Sequence, residues 1–129
     1  MKQTDPEKME KSLRLLKELK ASRGKLEEFH KRAANDPDLM KTFIQQFDNC
    51  YKSLKHIPRK YQELIMMAVG CARNAQTTIN VHARLAAEHG ATTEELGETL
   101  RLVFLLCGSI SLISGVEIFE PIEIEKESP

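Results

Sequence analysis

The sequence has no tryptophan, only two tyrosines and five phenylalanines, and no net charge, since 19 basic residues balance 19 acidic ones. A zero net charge argues against a nucleic-acid-binding protein, because such proteins present a basic field to phosphate groups. The three cysteines, Cys50, Cys71 and Cys107, are too few and too far apart for a disulfide framework or a zinc ribbon. We therefore predict no nucleic-acid partner, no metal or other cofactor, and a reducing, cytoplasmic location.

Long apolar runs are also scarce. The N-terminus, MKQTDPEKMEK, lacks the apolar stretch of a signal peptide. The uncharged run LVFLLCGSISLISGV occupies residues 102–116, and it is shorter than the ~20 residues of a membrane-spanning helix. We therefore predict no membrane partner. A helix that is apolar on all sides is normally buried, which is difficult inside so small a monomer, so the run predicts a homo-oligomer.

Helical periodicity and capping signals predict an all-α chain of about six helices. Thr4 or Asp5 precedes Pro6, and Asp36 precedes another proline; both are patterns of a helix start. Gly24 is expected to weaken or kink the first helix. No run of alternating polarity predicts a strand.

The second half of the chain carries the clearest helix boundaries. A helix over residues 75–89 is expected to stop at Gly90. Thr92 and Glu95 then have the spacing of a capping box, and their helix is predicted to reach Cys107. We treat residues 1–129 as a single domain, which divides into N-terminal helices (1–56), a core (57–120) and a frayed tail (121–129).

A glutamate and a histidine stand on consecutive predicted helices, where a helical hairpin would bring them together. Glu63 lies about ten residues before the turn near Asn74, and His82 lies about seven residues after it. At ~1.5 Å of rise per residue, the two side chains would differ in height by no more than one helical turn. A carboxylate beside an imidazole fixes its tautomer and raises its basicity, as general acid–base catalysis requires. The same spacing also suits a buried pair that only satisfies two polar groups.

The face of the predicted helix that carries His82 also carries Ala75, Thr78 and His89. His82 and His89 are ~10 Å apart along the helix axis, too far to share one metal ion.

Other histidines, cysteines and cations give weaker signals. We expect His30 to be exposed because its segment is highly charged. We expect the three cysteines to be small hydrophobic residues of the core. Arg59 and Lys60 follow the third proline-initiated start, where cations suit either a carboxylated substrate or a solvated basic turn.

The second half of the chain resembles the carboxymuconolactone decarboxylase family, which includes the alkylhydroperoxidase D-like proteins. The resemblance lies in the stretch ELIMMAVGCARNAQTTINVHARLAAEHGATTEELGETL. Glu63 and His82 match the glutamate and the histidine of the family pattern. Gly90, Thr92 and Glu95 match the helix end and the capped helix that follow.

The two cysteine positions of the family's peroxidase branch are occupied here by Ala75 and Thr78. The resemblance implies that this branch uses a Cys-x-x-Cys pair as its dithiol, while the histidine and the glutamate move protons. Alanine and threonine cannot form a disulfide, and Cys71 lies four residues before the first of these positions. We therefore predict no dithiol peroxidase chemistry. An alkylhydroperoxidase-type activity that uses a non-standard cysteine such as Cys71 is an alternative.

The resemblance implies an alkylhydroperoxidase D-like helical bundle that assembles as a homo-oligomer, a trimer or a hexamer. It also implies a small-molecule pocket in which His82 transfers a proton, Glu63 is its partner and Thr78 donates a hydrogen bond. A non-catalytic scaffold or binding protein on the same fold is the alternative to an enzyme. Three further residues could line the pocket: Ala75, Cys71 and His89.

Overall fold

The computed structural model describes residues 1–124, and this part of the chain is all-helical, as predicted. The elements are α1 (Pro6–Arg23), α2 (Glu28–Ala33), α3 (Pro37–Phe47), a π-helix (Asp48–Lys52), α4 (Arg59–Ala72), α5 (Gln76–Glu88), α6 (Thr93–Cys107), α7 (Ser109–Gly115) and a 3-10 helix (Val116–Ile118). There are seven α-helices in this range rather than about six, because the first predicted helix is divided after Gly24 into α1 and α2.

The chain forms two compact units, Met1–Leu54 and Lys55–Pro129. Their boundary lies close to the predicted division between the N-terminal helices and the core. That the whole chain is one domain stays a prediction. Of the tail that is predicted to fray, residues 121–124 form neither helix nor strand, and residues 125–129 lie outside the described residues.

The helix boundaries of the first unit follow from its capping residues. The Asp5 carboxylate accepts hydrogen bonds from the backbone N–H groups of Glu7 and Lys8, at 2.9 and 3.1 Å. Pro6 occupies the first turn of α1. Gly24 has a φ of +79°, the left-handed conformation of a helix C-cap. Such a cap ends a helix instead of kinking it, which explains the additional helix.

His30 is buried in the first unit, contrary to the exposure expected from its charged segment. Its ring lies against Phe29 and Phe43, with centroids 4.0 and 5.4 Å away. The backbone N–H of Glu27 donates to Nδ1 at 2.9 Å, and Nη1 of Arg23 lies 3.1 Å from Nε2. Burial, and secondarily the charge of Arg23, lower the pKa of His30 from 6.5 to about 4. The expectation was wrong because the charged neighbours occupy the outer face of the short helix.

In the second unit, α4 and α5 form an antiparallel hairpin that carries the candidate site. The turn passes through Asn74, whose φ of +52° is a left-handed conformation that asparagine tolerates. The helices approach closely beside this turn. A Cβ on Gly70 would lie 3.0 Å from Cγ2 of Thr78 and 3.1 Å from the backbone nitrogen of Ile79.

The helices α6 and α7 complete the core of the second unit. The predicted capping box of α6 is confirmed, since Thr92 Oγ1 accepts from the Glu95 N–H at 3.1 Å and Glu95 Oε2 accepts from the Thr92 N–H at 2.9 Å. In α7, a Cβ on Gly115 would lie 2.6 Å from Cδ2 of Leu100 and 3.2 Å from Sγ of Cys71. The buried core contains Leu64, Met67, Cys71, Ile79, Ala83, Ala86, Leu96, Leu100 and Val103.

Large apolar side chains of α6 and α7 are exposed on the single chain. Each of the five largest exposures is at least 65%. We call this set the apolar C-terminal surface: Leu102, Leu105, Leu106, Ile110 and Ile113. Within residues 1–124, no helix combines the length and the apolar character needed to cross a membrane.

Candidate functional site

Glu63 of α4 and His82 of α5 are in direct contact. Oε2 of Glu63 lies 2.6 Å from Nδ1 of His82. The carboxylate is completely buried, whereas 17% of the His82 side chain is exposed. The hairpin thus brings together the two residues that the spacing argument pairs, and it connects a buried anion to a histidine that reaches the surface.

A third side chain, Arg59, belongs to this cluster. It lies one helical turn before Glu63 on α4, and its Nε donates to Oε1 at 2.6 Å. The side chain of Arg59 is 41% exposed. The sequence argument missed this contact because it grouped Arg59 with the cations of a basic turn. The signal was present, since residues four apart on a helix are neighbours on its surface.

The contact with Glu63 determines which nitrogen of His82 is available for chemistry. An ionised carboxylate only accepts hydrogen bonds, so Nδ1 carries the hydrogen and donates it. In the neutral ring, Nε2 then holds the lone pair that can take a proton. Within the described residues, no side chain or backbone group forms a hydrogen bond with Nε2. Nε2 is therefore the ring nitrogen at which a ligand could exchange a proton with His82.

Thr78 and Ala75 stand at the beginning of α5, nearer the turn. Thr78 is half-buried, and its methyl group is the nearest atom to the Cβ position of Gly70. Ala75 is the N-cap residue of α5; its N–H donates to the carbonyl of Gly70 at 2.9 Å, and its side chain does not cap the helix. These two residues support the close packing of α4 against α5.

His89 is separate from this cluster. It is exposed at the C-terminal end of α5, and its Nδ1 lies 2.8 Å from the carbonyl oxygen of Leu85. Over residues 1–124, no three His, Cys, Asp or Glu side chains are grouped so that they could hold a metal ion.

The three cysteines occupy different environments, which corrects the expectation that all belong to the core. Cys71 is buried, whereas Cys50 and Cys107 are exposed, and all three are free. The π-helix that carries Cys50 buries no residue, and Cys107 is the last residue of α6, beyond its buried positions Leu96, Leu100 and Val103. Burial raises the pKa of the Cys71 thiol. A raised pKa disfavours the thiolate, which is the reactive form of cysteine.

The comparisons with known proteins give a family but no individual relative. The model of the carboxymuconolactone decarboxylase family matches residues 37–121, about two thirds of the chain, and this range includes Arg59, Glu63 and His82. No curated protein and no solved structure matches. The chain therefore belongs to the carboxymuconolactone decarboxylase family.

Proposed function

We propose that this protein is a small-molecule enzyme in which Glu63 and His82 form an acid–base pair, without dithiol chemistry. The observation that carries the proposal is the 2.6 Å contact between a fully buried carboxylate and a partly exposed imidazole. A general acid or base must reach its substrate, and a carboxylate bound to the other ring nitrogen fixes the tautomer of a histidine. The exposed part of His82 gives a ligand access to the ring, and the buried carboxylate holds the ring in place.

In this proposal, each residue of the pair has one role. His82 takes and gives a proton at Nε2. Glu63 accepts the Nδ1–H hydrogen bond, fixes the tautomer and stabilises the imidazolium that forms when Nε2 is protonated. Thr78 lies one turn before His82 on α5, and its hydroxyl would donate a hydrogen bond to the ligand.

The family's description suggests carboxymuconolactone, a lactone that carries a carboxylate, as the first substrate to test. Decarboxylation breaks the bond between the ring carbon and the carboxylate and releases CO2. The electron pair of that bond stays on the substrate, which needs one proton in exchange. Protonated His82 supplies this proton from Nε2 and recovers one from water, so the net reaction consumes one proton and changes no oxidation state of the protein.

The test follows CO2 release from carboxymuconolactone by the purified protein. We expect His82→Gln to lower kcat by at least ~100-fold, the usual contribution of a general acid or base. Glu63→Gln keeps a hydrogen-bonding group but removes the charge, and we expect a smaller loss. His56→Gln is the matched control, since His56 is an exposed histidine outside the cluster, and its rate should equal that of the wild type.

Two results would contradict the proposal. A folded wild-type protein that releases no CO2 would favour the alternative of a non-catalytic scaffold or binding protein on the same fold. Turnover that persists in His82→Gln would show that His82 is not the proton-transfer group. The other alternative, hydroperoxide reduction through Cys71, requires a thiolate that burial disfavours at this position.

We also propose that the protein is a homo-oligomer, with the trimer and the hexamer as the states implied by the family resemblance. The apolar C-terminal surface lies within residues 102–116, which contain no charged residue. It therefore offers nothing to complement a charged partner. A second copy provides an equally apolar surface, and exposed apolar patches of this kind commonly mark interfaces.

A further inference from the structure

We propose that Arg59 is a positioning residue that sets the proton affinity of His82 through the carboxylate of Glu63, which both side chains share. The catalytic importance of this coupling rests on the proposed function. The coupling itself is a property of the folded protein without substrate, so the two can be tested separately.

The geometry of Glu63 is the basis of the proposal. Nε of Arg59 lies 2.6 Å from Oε1, and Nδ1 of His82 lies 2.6 Å from Oε2. Because the carboxylate is fully buried and touches both partners, water screens these contacts less than it screens a surface pair, although the Arg59 side chain is 41% exposed. A fixed cation on one oxygen offsets part of the negative charge that would otherwise stabilise the imidazolium on the other. Arg59 therefore moderates how strongly the Glu63 carboxylate favours protonated His82.

Other charged groups on α4 and α5 form ion pairs of their own. On α5, Nη1 of Arg84 donates to Oε1 of Glu88 at 2.9 Å. On α4, Nζ of Lys60 binds Oε1 of Glu95 at 2.8 Å, which connects α4 to α6.

Two more elements pack against α5, and neither adds a charged group to the cluster. The helix α7 has the sequence SISLISG, which contains no ionisable side chain. The 3-10 helix has one, Glu117, and this residue is exposed. Arg59 contacts the Glu63 carboxylate, so removing its charge should act on His82 through that carboxylate.

The sign of the expected effect follows from electrostatics. Without the charge of Arg59, less positive charge offsets the buried carboxylate, so the Glu63–His82 pair binds a proton more tightly. We expect Arg59→Gln to raise the titration midpoint of the pair by about 1 pH unit, as expected for the loss of a cation at contact distance. Arg59→Lys keeps the charge and should stay close to the wild type. Glu63→Gln should shift the His82 midpoint in the opposite direction.

The experiment is an NMR titration of the His82 ring in the full-length protein, followed through its nitrogen and carbon chemical shifts. The ring signals are assigned from their loss in His82→Gln. Arg84→Gln is the matched control, because it removes the same charge from α5, where Arg84 forms an ion pair with Glu88. Its midpoint should stay within about 0.3 pH units of the wild type, as expected for a screened surface charge.

The outcomes separate this inference from the proposed function. An Arg59→Gln midpoint that is unchanged or lowered, or one that Arg84→Gln reproduces, would overturn the inference. If Arg59→Gln does not fold, Arg59→Met, which keeps the aliphatic stem, is held to the same criterion. A raised midpoint in a protein that releases no CO2 would support the coupling and count against the enzyme. If turnover depends on His82 but the midpoint of Arg59→Gln equals that of the wild type, the enzyme activity is supported and the coupling is overturned.

Discussion

The hydrogen bond between Glu63 and His82, 2.6 Å long, joins α4 to α5. Glu63 is completely buried, whereas His82 is partly exposed. This asymmetry has a consequence for stability. Removing the imidazole takes one partner from the buried carboxylate, but Arg59 continues to bind Oε1. The carboxylate therefore does not become an unpaired buried charge. Such a charge, left when a buried ion pair loses one partner, would cost ~3–5 kcal/mol.

We accordingly expect His82→Ala to lower the free energy of unfolding by only about 1.5–3 kcal/mol, the contribution of a hydrogen bond to a charged group. Urea denaturation followed by circular dichroism at pH 7 measures this value. The control is His56→Ala, which should leave the free energy of unfolding unchanged because the side chain is exposed. A loss above ~4 kcal/mol would mean that Arg59 does not compensate the carboxylate.

Gly115 is predicted to tolerate no side chain. Its Cβ position is 2.6 Å from Cδ2 of Leu100 and 3.2 Å from Sγ of Cys71, so Gly115→Ala must shift the buried Leu100 side chain or displace α7. We expect a loss of about 1–3 kcal/mol, as for other overpacked cores. Gly97→Ala in α6 is the control: nothing lies within 4 Å of its Cβ position, so helix propensity should stabilise it by roughly 0.5–1 kcal/mol. Equal effects in thermal unfolding would contradict the packing argument.

The sequence predicted the helix boundaries well wherever a boundary depends on local chemistry. Asp5 and Thr92 cap their helices through their own side chains, so neighbouring residues suffice to identify them. Gly24 was ambiguous because a glycine can either bend a helix or end it. Its left-handed φ shows that it ends the helix. The identity of the residue alone does not specify that φ.

The site was predictable only in part, for a similar reason. Helical rise places Glu63 opposite His82 from spacing alone. Whether Arg59 binds Glu63 or turns to solvent depends on the burial of the carboxylate, which comes from helix packing. The burial of His30 likewise depends on which face of α2 meets the aromatic rings of its unit.

Cysteine chemistry should be absent from this protein. Cys71 is buried with a raised thiol pKa. A dithiol cycle also needs a resolving thiol, and the position of the second cysteine is occupied by Thr78. We expect reduction of an alkyl hydroperoxide to be no faster than with the triple variant Cys50→Ser, Cys71→Ala, Cys107→Ser. A rate above that background that Cys71→Ala alone abolishes would refute this prediction.

His30 should make the stability of the protein depend on pH. Its folded-state pKa of about 4 lies below the ordinary value of 6.5, so between these values the unfolded chain binds more protons than the folded one. Stability therefore falls as the pH drops from 6.5 towards 4, and the full effect is about 3 kcal/mol, at 1.36 kcal/mol per pKa unit.

The variant His30→Asn tests this, because an amide oxygen can replace Nδ1 as an acceptor but does not titrate. Between pH 7 and pH 4.5, the wild type should lose about 2–3 kcal/mol more than His30→Asn in urea denaturation. His56→Asn removes an exposed histidine and should follow the wild type. Parallel losses in all three proteins would show that His30 is not the group responsible.

The apolar C-terminal surface should hold the assembly together. Ile113 is 68% exposed on the single chain. In a homo-oligomer, which we expect at micromolar protein concentration, another copy would cover it. Ile113→Asp would then place a charge in an apolar interface without a partner, at a cost that disfavours association. We expect the wild type to sediment as a trimer or hexamer and Ile113→Asp to dissociate or precipitate. Leu13→Asp is the control, since Leu13 is equally exposed, at 64%, on α1, and should leave the assembly intact. A monomeric wild type would contradict the proposal, because the exposed surface would then have no second copy to cover it.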